Sequence, residues 1–293
     1  MANKKIIVGK RLVSQDSPPF FIAEIGINHN GDLGLAKRLI DAAFAIGWDS
    51  VKFQKREPDI AVPEHQKNVP RDTPWGRMTY LEYKKKVEFG KEAYDYIDEY
   101  CAEKPILWTA SPWDFPSLEF ISGYDPPYIK VASALNGNLG FLRQVCALRK
   151  PIFMSTGMCT QSELDASVDC LEKYSNGDYV LLHTNSTYPA NLGNLNLSYI
   201  ETMRKRYGCI VGYSGHESGV DPTISAIMMG ARVVERHVTI SRNMWGTDQS
   251  ASLEIPDMYD LYNRSSVIQK IIGSDKKMMD KEEELVRKKL RVG

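Results

Sequence analysis

The amino-acid sequence predicts an α/β fold in which eight parallel strands close into a (β/α)8 barrel, the TIM barrel. Short apolar runs rich in β-branched and aromatic residues recur eight times, each followed by a helical pattern. Strands that alternate with helices form parallel sheets with helical crossovers, and eight such units suggest closure. The length of 293 residues suits one barrel, which typically needs about 250 residues.

The predicted strands are separated by amphipathic segments. The strand ranges are 20–28, 50–54, 106–112, 128–133, 152–156, 179–184, 210–214 and 233–239. In the segment after the first strand, Leu35, Leu39 and Ala43 mark one apolar face at helical spacing. An open doubly wound sheet also fits this alternation. No GxGxxG motif follows the first strand, which disfavours the dinucleotide-binding form of that alternative.

Three segments are expected to extend the barrel within one domain that covers residues 1–293. Residues 1–19 predict a short N-terminal β-hairpin or extended arm, and the barrel itself is expected over 20–272. Residues 56–80 form a long loop rich in proline, charged and aromatic residues, which is typical of a lid over an active site. Residues 273–293 predict a highly charged helix with a thin apolar stripe.

Composition and charge exclude several classes of protein. The chain has 37 basic and 37 acidic residues and a formal net charge of zero, whereas nucleic-acid and membrane-surface proteins usually have a basic excess. No stretch is long and apolar enough for a signal or a membrane span. The 5 cysteines are scattered without a CxxC pair, which disfavours disulfides and structural zinc. We therefore expect a cytoplasmic protein without nucleic-acid or membrane partners.

Histidines are concentrated at the carboxyl ends of the predicted strands, where barrel enzymes carry their chemistry. His29, His183, His216 and His237 all lie at or just past such an end. His216 and His237 come from the last two strands, which are neighbours in a closed barrel. Two neutral imidazoles can share a divalent ion and leave positions open for substrate oxygen. The alternative is that each ring only forms a hydrogen bond with a loop.

Two lysines lie within the ends of predicted strands. Lys52 and Lys130 would be costly inside a barrel unless they meet an anion or lose their proton. A phosphate or phospho-carboxylate ligand is one explanation, and a Schiff-base lysine is the other. Glu24, on the first strand, is either a general acid or base or an ion-pair partner. Serines at nearby strand ends could donate further hydrogen bonds to a ligand: Ser111, Ser155, Ser186 and Ser214.

Long motifs of the chain resemble the sialic acid synthase family. They are FFIAEIGINHNGDLGLAKRLIDAAFAIGWDSVKFQKR, STGM, GYSGHE, GARVVERHVT and GTDQSASLE. The resemblance implies a TIM barrel that condenses phosphoenolpyruvate with N-acetylmannosamine or a related open-chain aldose. The products are a nine-carbon 2-keto-3-deoxy acid and phosphate. The resemblance also implies a divalent metal cofactor, with Mn²⁺ expected and Mg²⁺ or Co²⁺ as alternatives, and a homo-oligomer is expected.

The same resemblance assigns roles to individual residues. His216 and His237 match the metal ligands, and Glu24 matches the acidic residue beside the reacting carbons. Tyr188 and Asp248 lie in matching loops, and His183 matches the pattern without an assigned role. The positions that match the phosphoenolpyruvate site are Lys52, Gln54, Ser111, Lys130, Ser155, Ser186 and Ser214.

The chain also departs from the family pattern. Members commonly have an acidic residue that binds acceptor hydroxyls where this chain has Leu135, so the acceptor is open. The segment that contains Ser186 reads HTNSTYP rather than the usual His-Cys-Thr-Ser pattern, and the chain ends at Gly293, before the antifreeze-like domain of many members. Alternatives are a synthase for another aldose, phosphorylated or not, a Schiff-base aldolase, and a barrel that only binds sugar acids.

Overall fold

The computed structural model describes residues 4–274 and 276–291. Its strands alternate with helices through most of the chain, as the sequence predicts. The strands are β1 (Lys5–Val8), β2 (Arg11–Ser14), β3 (Phe20–Gly26), β4 (Ser50–Lys55), β5 (Pro70–Thr73), β6 (Gly76–Thr79), β7 (Leu107–Pro112), β8 (Ile129–Val131), β9 (Ile152–Ser155), β10 (Tyr179–Thr184), β11 (Ile210–Gly215), β12 (Val233–Thr239) and β13 (Leu253–Glu254).

Eight of the described strands form a barrel, which confirms the predicted fold. They follow the order β7-β4-β3-β12-β11-β10-β9-β8, and each ladder in this order is parallel. The first and last strands of the barrel meet, because β12 pairs with β3. The ends of the order, β7 and β8, are also neighbours. Across that seam Thr109 Oγ1 donates to Tyr128 O at 3.1 Å.

The described residues form twelve α-helices, most of which cover the outside of the barrel. Their bounds are α1 (Leu33–Ile46), α2 (Pro58–Ala61), α3 (Glu64–Lys67), α4 (Tyr80–Val87), α5 (Lys91–Glu103), α6 (Phe115–Ser122), α7 (Leu139–Ala147), α8 (Gln161–Tyr174), α9 (Tyr199–Tyr207), α10 (Asp221–Met228), α11 (Ile255–Ile272) and α12 (Lys281–Leu290). The first of them shows why such helices start and stop. The Asp32 side chain accepts from Gly34 N and Leu35 N, and Gly47 ends the helix with φ of 97°.

The core has an outer layer and an inner layer. In the outer layer, apolar strand residues such as Val51 pack against helix residues such as Leu39. In the inner layer, Phe20, Phe153 and Leu182 fill the floor of the barrel. Strands buried on both faces need nearly continuous apolar sequence, and that is the pattern of the predicted runs.

The N-terminal hairpin closes the floor of the barrel. Strands β1 and β2 pair in antiparallel orientation, from Lys5 opposite Ser14 to Val8 opposite Arg11. One face of this hairpin presents Ile6, Val8 and Val13, which belong to the inner core cluster. The predicted N-terminal hairpin is therefore present, and its apolar face plugs the end opposite the strand C-termini.

The predicted lid loop contains secondary structure of its own. Helices α2 and α3 and the antiparallel hairpin β5–β6 lie within residues 56–80, and α4 follows directly. This segment of residues 56–80, together with α4, is called the excursion below, and it packs against the segment after β12. Trp245 lies edge-on to Tyr83, with ring centroids 4.9 Å apart, and to Trp75 at 5.8 Å. Aromatic packing of this kind holds the excursion over the C-terminal face of the barrel.

The C-terminal segment forms the predicted charged helix within 273–293. Helix α12 begins after the N-cap Asp280, whose side chain accepts from Glu283 N. Every residue of α12 is exposed, so its apolar stripe makes no buried contact with the described part of the barrel. In the described ranges, no helix combines the length and the apolar character that a membrane crossing requires.

Candidate active site

A cavity of about 360 Å³ opens at the C-terminal ends of the barrel strands. Polar side chains from β3, β4, β7, β8, β9, β11 and β12 point into it, which is where barrels place catalytic groups. Asp248 is the one predicted site residue outside the lining. The predicted residues that line the cavity are Glu24, Lys52, Gln54, Ser111, Lys130, Ser155, Ser186, Tyr188, Ser214, His216 and His237.

The two lysines each pair with a carboxylate and a serine. Lys52 Nζ lies 2.5 Å from Glu24 Oε2 and donates to Ser111 Oγ at 2.8 Å. On β8, Lys130 Nζ donates to Ser155 Oγ at 2.8 Å. All of these groups are buried. The structure therefore joins the predicted lysines and serines into two matched pairs.

Glu235 is a site residue that the sequence reasoning missed. Its Oε1 lies 3.3 Å from Lys130 Nζ and 3.8 Å from Lys52 Nζ, so it bridges the two ammonium groups. Ser214 Oγ donates to the same oxygen at 3.2 Å. The sequence spacing could have identified Glu235, because it lies two residues before His237 on one strand. Side chains at that spacing share a face, so Glu235 points inward with the histidine.

Burial and charge set the protonation of these carboxylates. Burial raises the pKa of Glu24 to about 7, although Lys52 opposes the shift. Burial also acts to raise the pKa of Glu235, but Lys130 and Lys52 outweigh it and lower that pKa below its ordinary value. Burial lowers the pKa of Lys130, and Glu235 opposes that effect. Glu24 can therefore gain or lose a proton near neutral pH, which suits a general acid or base.

The two predicted metal-binding histidines are brought together at the cavity wall. The ring centroids of His216 and His237 are 5.4 Å apart. His216 Nδ1 lies 2.6 Å from Asn185 O, and this contact fixes the proton on Nδ1 and leaves Nε2 with a lone pair. Tyr188 Oη donates to that Nε2 at 2.8 Å. Asp248 Oδ2 lies 3.7 Å from His237 Nδ1, on the other side of the pair.

The chemistry of these groups fits a divalent ion held by two imidazoles. Burial, followed by the neighbouring His237, lowers the pKa of His216 to about 3, and burial lowers that of His237 to about 4. Both rings are therefore neutral at pH 7 and have lone pairs for a metal. His237 Nδ1 is buried and has no hydrogen-bond partner in the part of the chain that the structure describes. No group of three or more His, Cys, Asp or Glu side chains in the described ranges is arranged to hold an ion.

Two other strand-end histidines have structural contacts instead. His29 stacks on Phe89 with ring centroids 3.8 Å apart, and burial lowers its pKa to about 3. His183 Nε2 lies 2.6 Å from Leu195 O. Neither ring lines the cavity. Leu135, the departure from the family pattern, packs against the outer core, while Ala132, Ser133 and Ala134 line the cavity at this position.

A buried ion pair supports the loop that carries His216. Arg236, on the outward face of β12, pairs with Glu217 at 2.9 Å, and both side chains are 0% exposed. The guanidinium also donates to Glu217 O at 2.5 Å and to Thr223 Oγ1 at 2.7 Å. Tyr213 Oη donates to Glu217 Oε2 at 2.8 Å. The residue after His216 is thus fixed by groups from three elements.

Comparison with known proteins identifies the family. Residues 39–277 match the NeuB family. The chain belongs to the NeuB family. The human N-acetylneuraminate-9-phosphate synthase is 34% identical over 272 residues, which are 92% of this chain and 75% of that protein. The N,N'-diacetyllegionaminic acid synthase of Campylobacter jejuni is 33% identical over 279 residues, 92% of this chain and 83% of that protein.

A solved structure agrees with this assignment. The N-acetylneuraminic acid (sialic acid) synthetase of Leptospira borgpetersenii, crystallised with citrate, superposes with a TM-score of 0.88 and 30% identity. The match covers 98% of this chain and 98% of that one. This member of the NeuB family is accordingly an enzyme, a transferase of the sialic acid synthase type, as the sequence motifs predicted.

Proposed function

We propose that this enzyme condenses phosphoenolpyruvate with an open-chain aldose, N-acetylmannosamine or a related sugar, to give a nine-carbon 2-keto-3-deoxy acid and phosphate. The observation that carries the proposal is the convergence of Lys52 and Lys130, each paired with a serine and both beside Glu235, in one cavity with two neutral imidazoles. This arrangement offers cations and hydroxyl donors for a phospho-carboxylate, and metal-type ligands for a carbonyl oxygen.

Phosphoenolpyruvate is expected to bind where the lysines and serines converge. Two ammonium groups face two carboxylates there, so ionised Glu24 and Glu235 leave the four-residue group neutral. Protonation of Glu24, whose pKa is about 7, gives the group one net positive charge. A phosphate and a carboxylate would then meet cations and hydroxyl donors, with Glu235 as the remaining ionised carboxylate of the four-residue group. Ser186 Oγ, which is buried without a partner, is a further donor for the ligand.

His216 and His237 would hold the divalent ion, for which Mn²⁺ is the proposed metal, with Mg²⁺ or Co²⁺ as alternatives. Such an ion acts as a Lewis acid that polarises an aldehyde oxygen. Asn185 O keeps the proton of His216 on Nδ1, and the oxygen of Tyr188 lies beside Nε2. Burial raises the pKa of Tyr188, so this phenol remains a hydrogen-bond donor at neutral pH.

In the proposed reaction, C3 of phosphoenolpyruvate forms a bond to the aldehyde carbon of the sugar, and water adds to C2. The C2–O bond to phosphate then breaks, and the keto group forms. Glu24 takes the proton from that water or transfers one to the new hydroxyl. Lys52 and Lys130 hold the phosphate and the carboxylate, and the enclosed cavity orients both reactants.

The alternative of a Schiff-base aldolase receives less support from the contacts. A Schiff base requires an unprotonated amine. Lys52 lies 2.5 Å from Glu24, and Lys130 lies 3.3 Å from Glu235, so the side-chain nitrogen of each lysine already has a carboxylate partner. The same contacts are expected of cations that bind an anion.

We also propose where the enzyme works and with which partners. The cysteines Cys101, Cys146, Cys159, Cys170 and Cys209 are free thiols, which suits a reducing cytoplasm. We also propose a homo-oligomer, as the family resemblance implies, and no nucleic-acid or membrane partner, because the chain has a net charge of zero.

The test is phosphate release from phosphoenolpyruvate with Mn²⁺ and a panel of aldoses. We expect release that depends on the sugar, and a loss of at least about 100-fold in kcat/KM for Lys130→Met. Lys150→Met, at a surface lysine paired with Asp125, is the matched control. Release with no aldose, or trapping of pyruvate on a lysine by borohydride, would overturn the proposal.

A further inference from the structure

An uncovered stripe of apolar side chains runs along helix α12. Leu285, Val286 and Leu290 are 65%, 52% and 70% exposed, and every other residue of this ten-residue helix is exposed too. Single exposed apolar residues are normal on protein surfaces, but three on one short helix form a patch. A helix of this length is marginal in water by itself. A surface that covers the stripe would therefore stabilise α12.

The charges of α12 are sorted by sign about the centre of the helix. Leu285 and Val286 form that centre, and Lys281 is the one residue that breaks the order. Acidic side chains precede the centre and basic side chains follow it: Asp280, Glu282, Glu283 and Glu284 on one side, and Arg287, Lys288, Lys289 and Arg291 on the other. We call residues 280–291 the mirrored segment, because reading it backwards puts a base in the place of each acid.

The apolar stripe and two of these charges share one face of α12. Leu285 and Val286 lie three and four residues after Glu282, and the same face continues to Lys289 and Leu290, seven and eight residues after it. Spacings of three, four, seven and eight residues place side chains on one side of an α-helix. The stripe therefore has apolar side chains between an acid and a base. A surface that covers it has to offer the opposite order of charges.

The charged side chains of α12 are available to a partner. In the part of the chain that the structure describes, the helix forms one ion pair, between Glu283 and Lys277 at 3.8 Å. Acids in the first turn and bases in the last turn interact favourably with the helix macrodipole, which accounts for their order on a single helix. The macrodipole does not account for the exposed Leu285 and Val286 between them. A partner surface explains both features together.

We propose that α12 of one copy of this chain packs in antiparallel orientation against α12 of a second copy. The pair is related by a two-fold axis that passes midway between Leu285 and Val286. Glu282 of each copy then lies opposite Lys289 of the other, and Leu285 of each copy lies opposite Val286 of the other. A parallel pair would instead place Glu282 beside Glu282 and Lys289 beside Lys289, so like charges would repel each other.

A second copy matches this surface better than the rest of the same chain does. Helix α11 has exposed apolar side chains of its own, Val267 and Ile271, and α12 does not cover them. A segment with mirrored charges complements itself under two-fold rotation, so no other matching surface has to exist. The mirrored segment of a second copy supplies the acid, the base and the apolar side chains in the order that the stripe requires.

The small size of the contact sets its strength. Stable interfaces bury about 1,200–2,000 Å² in total, and two ten-residue helices bury less than that. Exposed ion pairs each contribute little, so the charges mainly set the orientation of the pair. We therefore expect a dimer that dissociates on dilution and in high salt.

The test is sedimentation velocity of the full chain over a range of protein concentrations, at low and at high salt. Glu282→Lys and Lys289→Glu each place like charges opposite one another in the antiparallel pair. Each variant should therefore raise the dissociation constant of the dimer at least about 10-fold at low salt. Glu201→Lys on α9, which breaks a surface pair with Lys205, is the matched control and should leave the dissociation constant unchanged.

Two further samples test the pairing between copies and its orientation. An equimolar mixture of Glu282→Lys and Lys289→Glu should dimerise as the wild type does, because unlike charges meet again between the two different copies. The double variant Glu282→Lys/Lys289→Glu should also dimerise, since its charge order is reversed but still mirrored. The macrodipole alone predicts the contrary for the double variant, whose new charges oppose the dipole at both ends of the helix.

Several outcomes would overturn the proposal. They are a wild type that stays monomeric at every concentration, and a dimer whose dissociation constant neither Glu282→Lys nor Leu285→Asp changes. A double variant that associates no better than the single variants would contradict the antiparallel order. A monomer that Leu285→Asp destabilises towards urea would assign the stripe to the barrel of its own chain. Circular dichroism checks the fold of each variant, and none of these measurements uses catalysis, so they test the pairing independently of the proposed condensation.

Discussion

Removal of the Arg236 guanidinium should destabilise the enzyme more than any surface ion pair can. Both members of the Arg236–Glu217 pair are 0% exposed, and their atoms are 2.9 Å apart. In Arg236→Met the carboxylate of Glu217 keeps only the donors of Tyr213 and Thr223, at 2.8 and 3.1 Å. Breaking a buried pair from one side typically costs about 3–5 kcal/mol, because the remaining charge has lost its oppositely charged partner. We expect a loss of that size in the free energy of unfolding.

The double variant Arg236→Met/Glu217→Gln gives the corresponding recovery. Glutamine keeps a side-chain oxygen for Tyr213 but has no charge, so stability should return to within about 2 kcal/mol of the wild type. Arg264→Met, which breaks a surface pair with Asp221 at 2.8 Å, should cost less than about 1 kcal/mol. Urea unfolding followed by tryptophan fluorescence measures all three variants. A cost below about 1 kcal/mol for Arg236→Met, or a double variant less stable than the single one, would refute the reasoning.

Other expectations follow from the same contacts. In Gly157→Ala the new Cβ would lie 2.3 Å from Ser186 Oγ and 2.9 Å from Ser133 Oγ. We therefore expect kcat/KM for phosphoenolpyruvate to fall at least about 10-fold in steady-state assays. Gly140→Ala, whose new Cβ would lie 3.6 Å from its nearest neighbour, should leave kcat/KM unchanged. Equal kinetics for these two variants would contradict the steric argument. Burial lowers the pKa of Lys84 to about 8, whereas the pKa of a lysine in an unfolded chain is about 10.4. Between these two pH values the unfolded chain binds more protons than the folded chain, so the free energy of unfolding should rise with pH across that window. Chelation of the metal should abolish turnover, and His237→Ala should lower turnover at least about 100-fold. His65→Ala, at an exposed position, should have no such effect. Full activity after metal removal, with metal content checked by mass spectrometry, would exclude a role for the metal.

The barrel and most of the cavity lining could be predicted from the sequence because both follow from local patterns. Apolar runs of strand length alternate with helices, and the C-terminal ends of parallel strands meet at one face. The positions of Lys52 and Lys130 at strand ends therefore predict that both lysines lie inside the site, but not which side chains contact them. The carboxylate that bridges them, Glu235, was missed although its two-residue spacing from His237 places both on one face.

Other features depend on contacts between distant segments, which local patterns do not specify. His29 and His183 end strands as His216 does, yet stacking on Phe89 and a backbone contact occupy them. The segment after β4 was predicted as a lid loop without helices or strands, because its helices α2 and α3 span only Pro58–Ala61 and Glu64–Lys67 and are too short to show a helical pattern in the sequence. Its position depends on aromatic packing against Trp245, far along the chain.

The fate of the methylene carbon of phosphoenolpyruvate tests the central claim most directly. The enzyme would be incubated with phosphoenolpyruvate labelled with ¹³C at C3, Mn²⁺, and N-acetylmannosamine or its 6-phosphate, and the products would be followed by NMR. The proposed condensation predicts that the label appears in a methylene group bonded to the former aldehyde carbon, in step with phosphate release. Label that appears only in the methyl group of pyruvate would show hydrolysis without carbon–carbon bond formation and would contradict the account.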